Sequence, residues 1–416
     1  MNRRHLPVSV VVALCLSAGA AVADDTPFIA ALKANSAPMT LDHGKLSGPG
    51  AELLIREGTA SQFFLIGEDH GGRESPQFAA AMWAALQPAG YRHIAVEAGP
   101  ITAARLEALG SVDAIGKLSV QYPFALPFFN WREEAEYLTG VTGSKKVAHA
   151  VWGLDQEFVL SLSMHLDRLA QLATTPAAKE AVRRMAERNT AGDAKMRAEK
   201  NPTAVLMMTA TPADFDQLAA AFPQTGEAAY VIGELRESAA IYQAWTAGRN
   251  YENNLNRSLL MKRHFRTYYD EAVRGGETKP HVMMKFGMSH MMRGRSLVEV
   301  YDIGTMLPEL AAMNGTKAFS TAVLYRQGHV NEYTPFSKDD SARATEYDAL
   351  KSRNVNLDVT PFFDAAAGPQ WTVIDLRAIR PLLGKKMPVD PGVARIIWAF
   401  DSVVIVPEVH PSTLFE

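Results

Sequence analysis

The chain of 416 residues has a single cysteine, Cys15. It sits inside the apolar run Leu6 to Leu16, between Arg3-Arg4 and the small-residue pattern Ala21-Val22-Ala23. This order is that of a secretory signal peptide, with cleavage expected after Ala23. A retained anchor is the rival reading, but so short an apolar core spans a bilayer poorly. Lipidation of Cys15 is disfavoured because Leu14 stands where a small residue is expected. The mature chain would then have no thiol, so disulfides and cysteine metal ligands are excluded. That suits a periplasmic or secreted protein, since no thiol can mispair in an oxidising compartment.

Long apolar runs are also missing. After residue 23 no stretch has the length and character to cross a membrane. Excess positive charge is absent too. The formal net charge is −3, and loss of Arg3 and Arg4 takes it to −5. Lysine and arginine are scattered, so neither nucleic acid nor an anionic membrane is an expected partner. The chain has no Gly-x-Ser-x-Gly elbow, no P-loop, no Gly-x-Gly-x-x-Gly after a strand and no His-Glu-x-x-His. Serine-esterase chemistry of the usual kind is therefore disfavoured.

What is present is ordinary globular material, 47% hydrophobic and 21% charged, enough for a large core. Short apolar runs occur at Phe63–Ile66, Ile94–Val96, Val147–Trp152, Val282–Met284, Trp371–Leu376 and Ser402–Val406. Runs of this length without alternation suit strands buried on both faces. Between the first two, Phe78, Met82, Ala85 and Leu86 have helical spacing, closed by Gly90. Strand, helix, strand reads as a βαβ unit with parallel pairing. Residues 156–275 are rich in Ala, Leu, Met, Arg and Glu, which predicts helices, with a break near Gly248. Residues 328–368 read as a loop-rich excursion. The expected fold is α/β, a mostly parallel central sheet flanked by helices. Its parts are a signal peptide (1–23), a first part of the core (24–155), a large helical insertion (156–275) and a second part of the core (276–416).

Ligands of open parallel sheets bind beyond the carboxyl ends of the strands. The residues there are Gly67-Glu68-Asp69-His70-Gly71-Gly72, Glu97, Asp155 and Gly287 to His290. A histidine among carboxylates suits a general base acting on water or a hydroxyl. The bland alternative is a polar turn that caps the next helix, and its place after an apolar strand favours function. Glu97 either orients His70 or caps a helix. His290 either assists as acid or oxyanion partner, or is a core histidine. Asp155 supports a histidine or caps a helix. Arg293 either binds a substrate carboxylate or is an exposed solubilising residue. The aromatic segment Tyr122 to Arg132 is a wall over an apolar ligand or a latch packing the insertion. His93, His149 and His281 fall at strand starts and read as structural. Oxygen and imidazole ligands at Glu68, His70, Glu97 and His290 leave a divalent metal open, although the sequence requires no cofactor.

At these residues the chain resembles the erythromycin-esterase-like superfamily, which includes the ChaN-like haem-binding lipoproteins and, more distantly, the TraB and Tiki proteins. Gly67-Glu68-Asp69-His70-Gly71-Gly72-Arg73-Glu74 is similar to the esterases' Gly-Glu-x-x-His-Gly-x-x-Glu, one residue shorter between Glu68 and His70, as in the ChaN-like Gly-Glu-x-His. The Tyr91–Glu97 strand matches both branches. Phe129-Asn130-Trp131-Arg132, Gly153-Leu154-Asp155, and Arg257 with Met261 resemble segments of the esterases. In their His-Asn-x-His, Gly287 stands at the first histidine and His290 at the second. The resemblance implies His70 as base, with Glu68, Glu97 and His290 around it; Glu74, Asp155, Trp131 and Arg132, in its matched segments, and Arg293, near His290, are the candidate substrate contacts. It implies an exported hydrolase of a small ester, lactone or amide. The ChaN-like alternative is a protein that binds haem or another apolar ligand without catalysis, and the Tiki likeness adds a metal-dependent peptidase.

Overall fold

In the computed structural model, residues 26–143, 147–332, 344–351, 357–366, 368–384 and 387–415 are described. The strands are β1 (Ser36–Asp42), β2 (Lys45–Ser47), β3 (Phe63–Glu68), β4 (Tyr91–Val96), β5 (Val151–Gly153), β6 (His281–Gly287), β7 (Ala318–Asn331), β8 (Ala344–Asp348), β9 (Trp371–Asp375) and β10 (Ser402–Val409). The signal-peptide reading, Cys15 included, lies outside the described residues.

The central strands explain the sheet. Every residue of β3 is buried. Phe64 and Ile66 enter one apolar core with Ile94, Val96 and Met283. Phe63 and Leu65 enter the other with Ala95, Met284 and Phe286. Apolar side chains on both faces demand a covering layer on each side, and helices supply it. The strand order is β2-β1-β9-β10-β7-β3-β6-β4-β5, with β8 paired to β7 alone. From β10 to β5 all pairs are parallel. At the other edge β9 and β1 run antiparallel to their neighbours. The chain is thus α/β with a mostly parallel sheet.

The βαβ reading needs one correction. β3 and β4 are parallel but do not pair, because β6 lies between them. The helix Glu74–Leu86 crosses over a strand that arrives some two hundred residues later. Met283, Met284 and Phe286 are fully buried, which fits β6 to the centre of the sheet.

Between β5 and β6 the described elements are all helical. The helices Glu227–Thr246 and Asn250–Arg274 part at Gly248, whose φ of +72° is left-handed and costs glycine nothing. Leu166, Leu169, Phe215 and Leu235 belong to an apolar cluster of this segment's own. Among the described residues no helix is long and apolar enough to cross a membrane.

Candidate active site

Four parallel strands deliver the site. β3 ends at Glu68, and the chain turns at once through Asp69 and His70. Gly71 makes that turn possible. Its φ is +93°, and a Cβ there would lie 2.1 Å from the Asn331 carbonyl oxygen. The Gly71 carbonyl accepts from the Asn331 and Ser412 amides at 3.0 and 2.9 Å, so β7 and the C-terminal segment fix the turn from behind.

His70 is held on three sides. Nδ1 lies 3.0 Å from Glu68 Oε1 and Nε2 lies 3.5 Å from Glu97 Oε2. Phe128 stacks on the ring at 3.9 Å with 17° between planes. Phe128 itself sits at φ +62°, a conformation that costs a non-glycine residue energy. The aromatic segment packs into the sheet core and against His70, and none of its residues lines the cavity beside that histidine. Leu126, Phe129 and Trp131 are buried, while Phe128 backs the histidine.

Behind Glu68 is a buried ion cluster. Lys285, on β6, donates to Glu68 Oε1 at 2.5 Å and to Glu134 Oε1 at 2.6 Å. Burial alone would raise the Glu68 carboxyl, but Lys285 and His70 outweigh it and hold it below its usual value. Glu134 loses the competition for the one cation. Burial and the neighbouring Glu68 charge push it up to about 7 against the pull of Lys285.

Glu97 directly follows β4 and is the hub. Its Oε2 accepts from the Gly287 amide at 2.7 Å, and its Oε1 accepts from Arg257 at 2.8 Å. His290 Nε2 approaches Oε1 at 3.5 Å. Burial opposes its ionisation, but His290, His70 and Arg257 hold its pKa well below the ordinary value. Arg257 also donates Nε to Asp155 Oδ1 at 2.8 Å, which ties the end of β5 to the helix Asn250–Arg274. His290 Nδ1 meets Asp302 Oδ2 at 2.7 Å. Burial and Arg257 work against the His290 charge, yet Glu97 and Asp302 prevail and raise its pKa to about 10. His70 follows the same logic: burial opposes the charge, and Glu68 and Glu97 raise its pKa above 6.5.

Glu68, His70, Glu97 and His290 thus converge, as the sequence anticipates. They line a cavity of about 1300 Å³. Gly287 borders it between the two histidines. A Cβ there would stand 3.0 Å from His70 Nε2 and 3.3 Å from Glu97 Oε2. The far wall comes from the segment read as a loop-rich excursion, through Tyr347, Leu350, Leu357 and Phe363. Tyr347 donates to Asp69 Oδ2 at 2.6 Å.

Other expected substrate contacts are placed elsewhere. Glu74 is buried and accepts from His410 Nδ1 at 2.8 Å. Arg293 pairs with Asp401 at 3.2 Å, below the β10 start. Trp131 is packed in the interior, and the Arg132 guanidinium lies over the Phe415 ring at 5.4 Å. None of these lines the cavity. Asp155 pairs with Arg257 and does not line the cavity. Sequence reasoning missed Glu134, Asp302 and Tyr347. Glu134 follows the aromatic segment by two residues, on the helix Arg132–Thr142, and that proximity was the available signal. Among the described residues no group of three or more His, Cys, Asp or Glu is spaced to hold a metal ion. The carboxylates that invited one already carry Lys285 and Arg257, and a divalent cation would have to compete with both.

No family model and no curated protein matches the chain. Solved structures do. A Bacillus cereus protein aligns with TM-score 0.57 and 14% identity, over 94% of this chain and 98% of its own. A succinoglycan biosynthesis protein aligns with TM-score 0.56 and 13% identity, over 94% and 98%. The erythromycin esterase EreC, in its open conformation, aligns with TM-score 0.53 and 14% identity, over 88% and 95%. The chain has the erythromycin-esterase-like fold.

Proposed function

We propose that this protein is an exported hydrolase that activates water with His70 and cleaves an ester, lactone or amide bond in a small molecule. Export rests on the N-terminal pattern of residues 3–23. The hydrolytic reading rests on one observation: His70 presents Nε2 to Glu97 and the cavity, while Nδ1 is bound to Glu68.

In the neutral ring Nδ1 carries the proton, donated to Glu68, and Nε2 keeps a lone pair. That lone pair takes a proton from water as the water oxygen bonds to the acyl carbon. The carbonyl π pair moves onto oxygen. His290, cationic at neutral pH, is the group placed to stabilise that oxyanion. Collapse breaks the acyl C–O or C–N bond, and the leaving alkoxide or amine receives the proton from His70. Water is consumed, and an acid and an alcohol or amine are released. Glu97 touches both rings and fixes their separation.

The apolar wall of Leu324, Leu350 and Phe363 also suits binding of haem or another apolar ligand without catalysis. A panel of chromogenic esters, lactones and amides separates the readings. Wild type turns over at least one member, and His70→Ala does not. Equal turnover by both proteins sinks the mechanism. A shifted Soret band on haemin titration, with no turnover, selects the binding reading.

A further inference from the structure

A second cavity, of about 760 Å³, shares no lining residue with the first. Its volume is within the range of small-molecule sites. It lies where the helices Pro100–Leu109, Leu162–Leu172, Glu227–Thr246 and Asn250–Arg274 meet. A chain of contacts past the end of β5 links Glu97 of the first cavity, through Arg257, to His264 of the second. The Leu154 carbonyl accepts from His264 Nδ1 at 2.8 Å, and the next residue, Asp155, accepts from Arg257.

The charges of this second cavity sort into two groups. Arg168 grips Glu227 with two bonds of 2.6 and 2.7 Å, so that pair cancels. Arg105 lies over the Tyr122 ring, and the same tyrosine donates to Asp167 at 2.6 Å, so that arginine and that carboxylate offset each other. Glu234 and Glu271 remain, with the fully buried Glu157 behind them. They face histidines rather than lysine or arginine, and of these His264, whose burial opposes its charge but whose Glu234 partner holds its pKa above the usual value, offsets that carboxylate in part. His264 Nε2 lies 3.1 Å from Glu234, and His149 Nε2 lies 3.8 Å from Glu271. His165 Nε2 lies 2.9 Å from Glu157 Oε2 but out of line for a hydrogen bond. The tyrosines sense the resulting field. Burial first, and then glutamates that include Glu157 and Glu271, hold both the Tyr230 and Tyr268 hydroxyls above their usual range.

The remaining walls are apolar, from Ile101 and Val231 beside the two tyrosine rings. A negative field around aromatic faces recognises a positive charge on an apolar body, because ring quadrupoles and carboxylates both attract a poorly hydrated cation. We propose that this cavity is a binding site for an organic monocation, a protonated or quaternary amine carried on an aromatic or alicyclic body. The site is independent of the hydrolytic reading.

Benzyltrimethylammonium and benzenesulfonate are the probes, titrated into the purified full chain by calorimetry. Quenching of Trp152, which stacks on Tyr268 at 5.6 Å, gives a second readout. Wild type and His70→Ala bind the cation saturably and equally, and neither binds the sulfonate. Tyr230→Ala and Glu271→Gln each weaken the cation at least tenfold. Both side chains are about half exposed at the mouth, so neither substitution threatens the fold. The assignment is overturned by absence of saturable cation binding, by equal binding of cation and anion, by loss in His70→Ala, or by binding that both mouth variants leave unchanged.

Discussion

Lys285 serves two buried carboxylates with one charge, and that arithmetic governs several residues at once. Lys285→Met strands Glu68 and Glu134 in the interior. Breaking a buried ion cluster by removing one partner costs about 3–5 kcal/mol, readable as a lower urea midpoint. Adding Glu134→Gln recovers part of the loss, since a neutral amide is cheaper to bury than a carboxylate. If Lys285→Met leaves the midpoint unchanged, the cluster is not what holds β3 to β6.

Proton equilibria give a second residue-scale expectation. A general base works unprotonated, and His70 is held above the ordinary histidine value of about 6.5. Turnover of an ester should therefore rise with pH through an inflection above 6.5, and Glu68→Gln should move the inflection down. An inflection at or below 6.5 in wild type would count against the assignment. For stability the sign is opposite. His290 has a folded-state pKa of about 10. Its contribution is complete below about pH 6.5 and is lost as pH rises toward 10. The difference in midpoint between wild type and His290→Gln should shrink steadily across that window.

Gly287 gives a third. A methyl group there meets His70 Nε2 at 3.0 Å and Glu97 Oε2 at 3.3 Å. Both polar atoms must yield by tenths of an ångström. Gly287→Ala should lower kcat by up to about 10²-fold, the scale of a misplaced catalytic group, while the denaturation midpoint stays near wild type.

At the scale of elements, legibility followed burial. Strands with uninterrupted apolar runs, such as β3, β6 and β10, were readable. β7 was not, although it is the longest of the described strands, because Ser320 and Thr321 interrupt its apolar run. They are buried, and Ser320 and Thr321 are satisfied by Asp401 and Ser402 across the sheet. β1 and β2 face solvent at an edge and carry little pattern. The site residues on strand ends could be found because a parallel sheet announces where its ligand edge lies. Asp302 and Tyr347 could not, and Glu134 had only its nearness to the aromatic segment to point to it, because each reaches the site from a helix end or an edge strand whose packing is tertiary. β8 illustrates the point. It pairs with β7 alone, and Tyr347 pins it to Asp69. Tyr347→Phe removes that pin. Hydrogen exchange of Ala344–Asp348 should accelerate while β3 amides stay protected, and equal protection in both proteins would show that the bond contributes nothing to the strand's stability.

At the scale of the molecule, the sheet joins distant parts of the chain. Glu68 and Lys285 are 217 positions apart, and their strands are neighbours. Closing so long a loop is entropically slow compared with forming helices. In pulse-labelled refolding, β3 amides should gain protection no earlier than those of β6. Protection of β3 well before β6 would refute this order.

The insertion of β6 between β3 and β4 also has a consequence in time. A chain that has emerged only as far as residue 275 already contains Glu68, His70, Glu97, Asp155 and Arg257. It has nothing between β3 and β4 to pair them, and no Lys285 to neutralise Glu68. The cluster of charged side chains is therefore completed only by the last third of the chain to be synthesised, which brings Lys285 to Glu68 and His290 to Glu97.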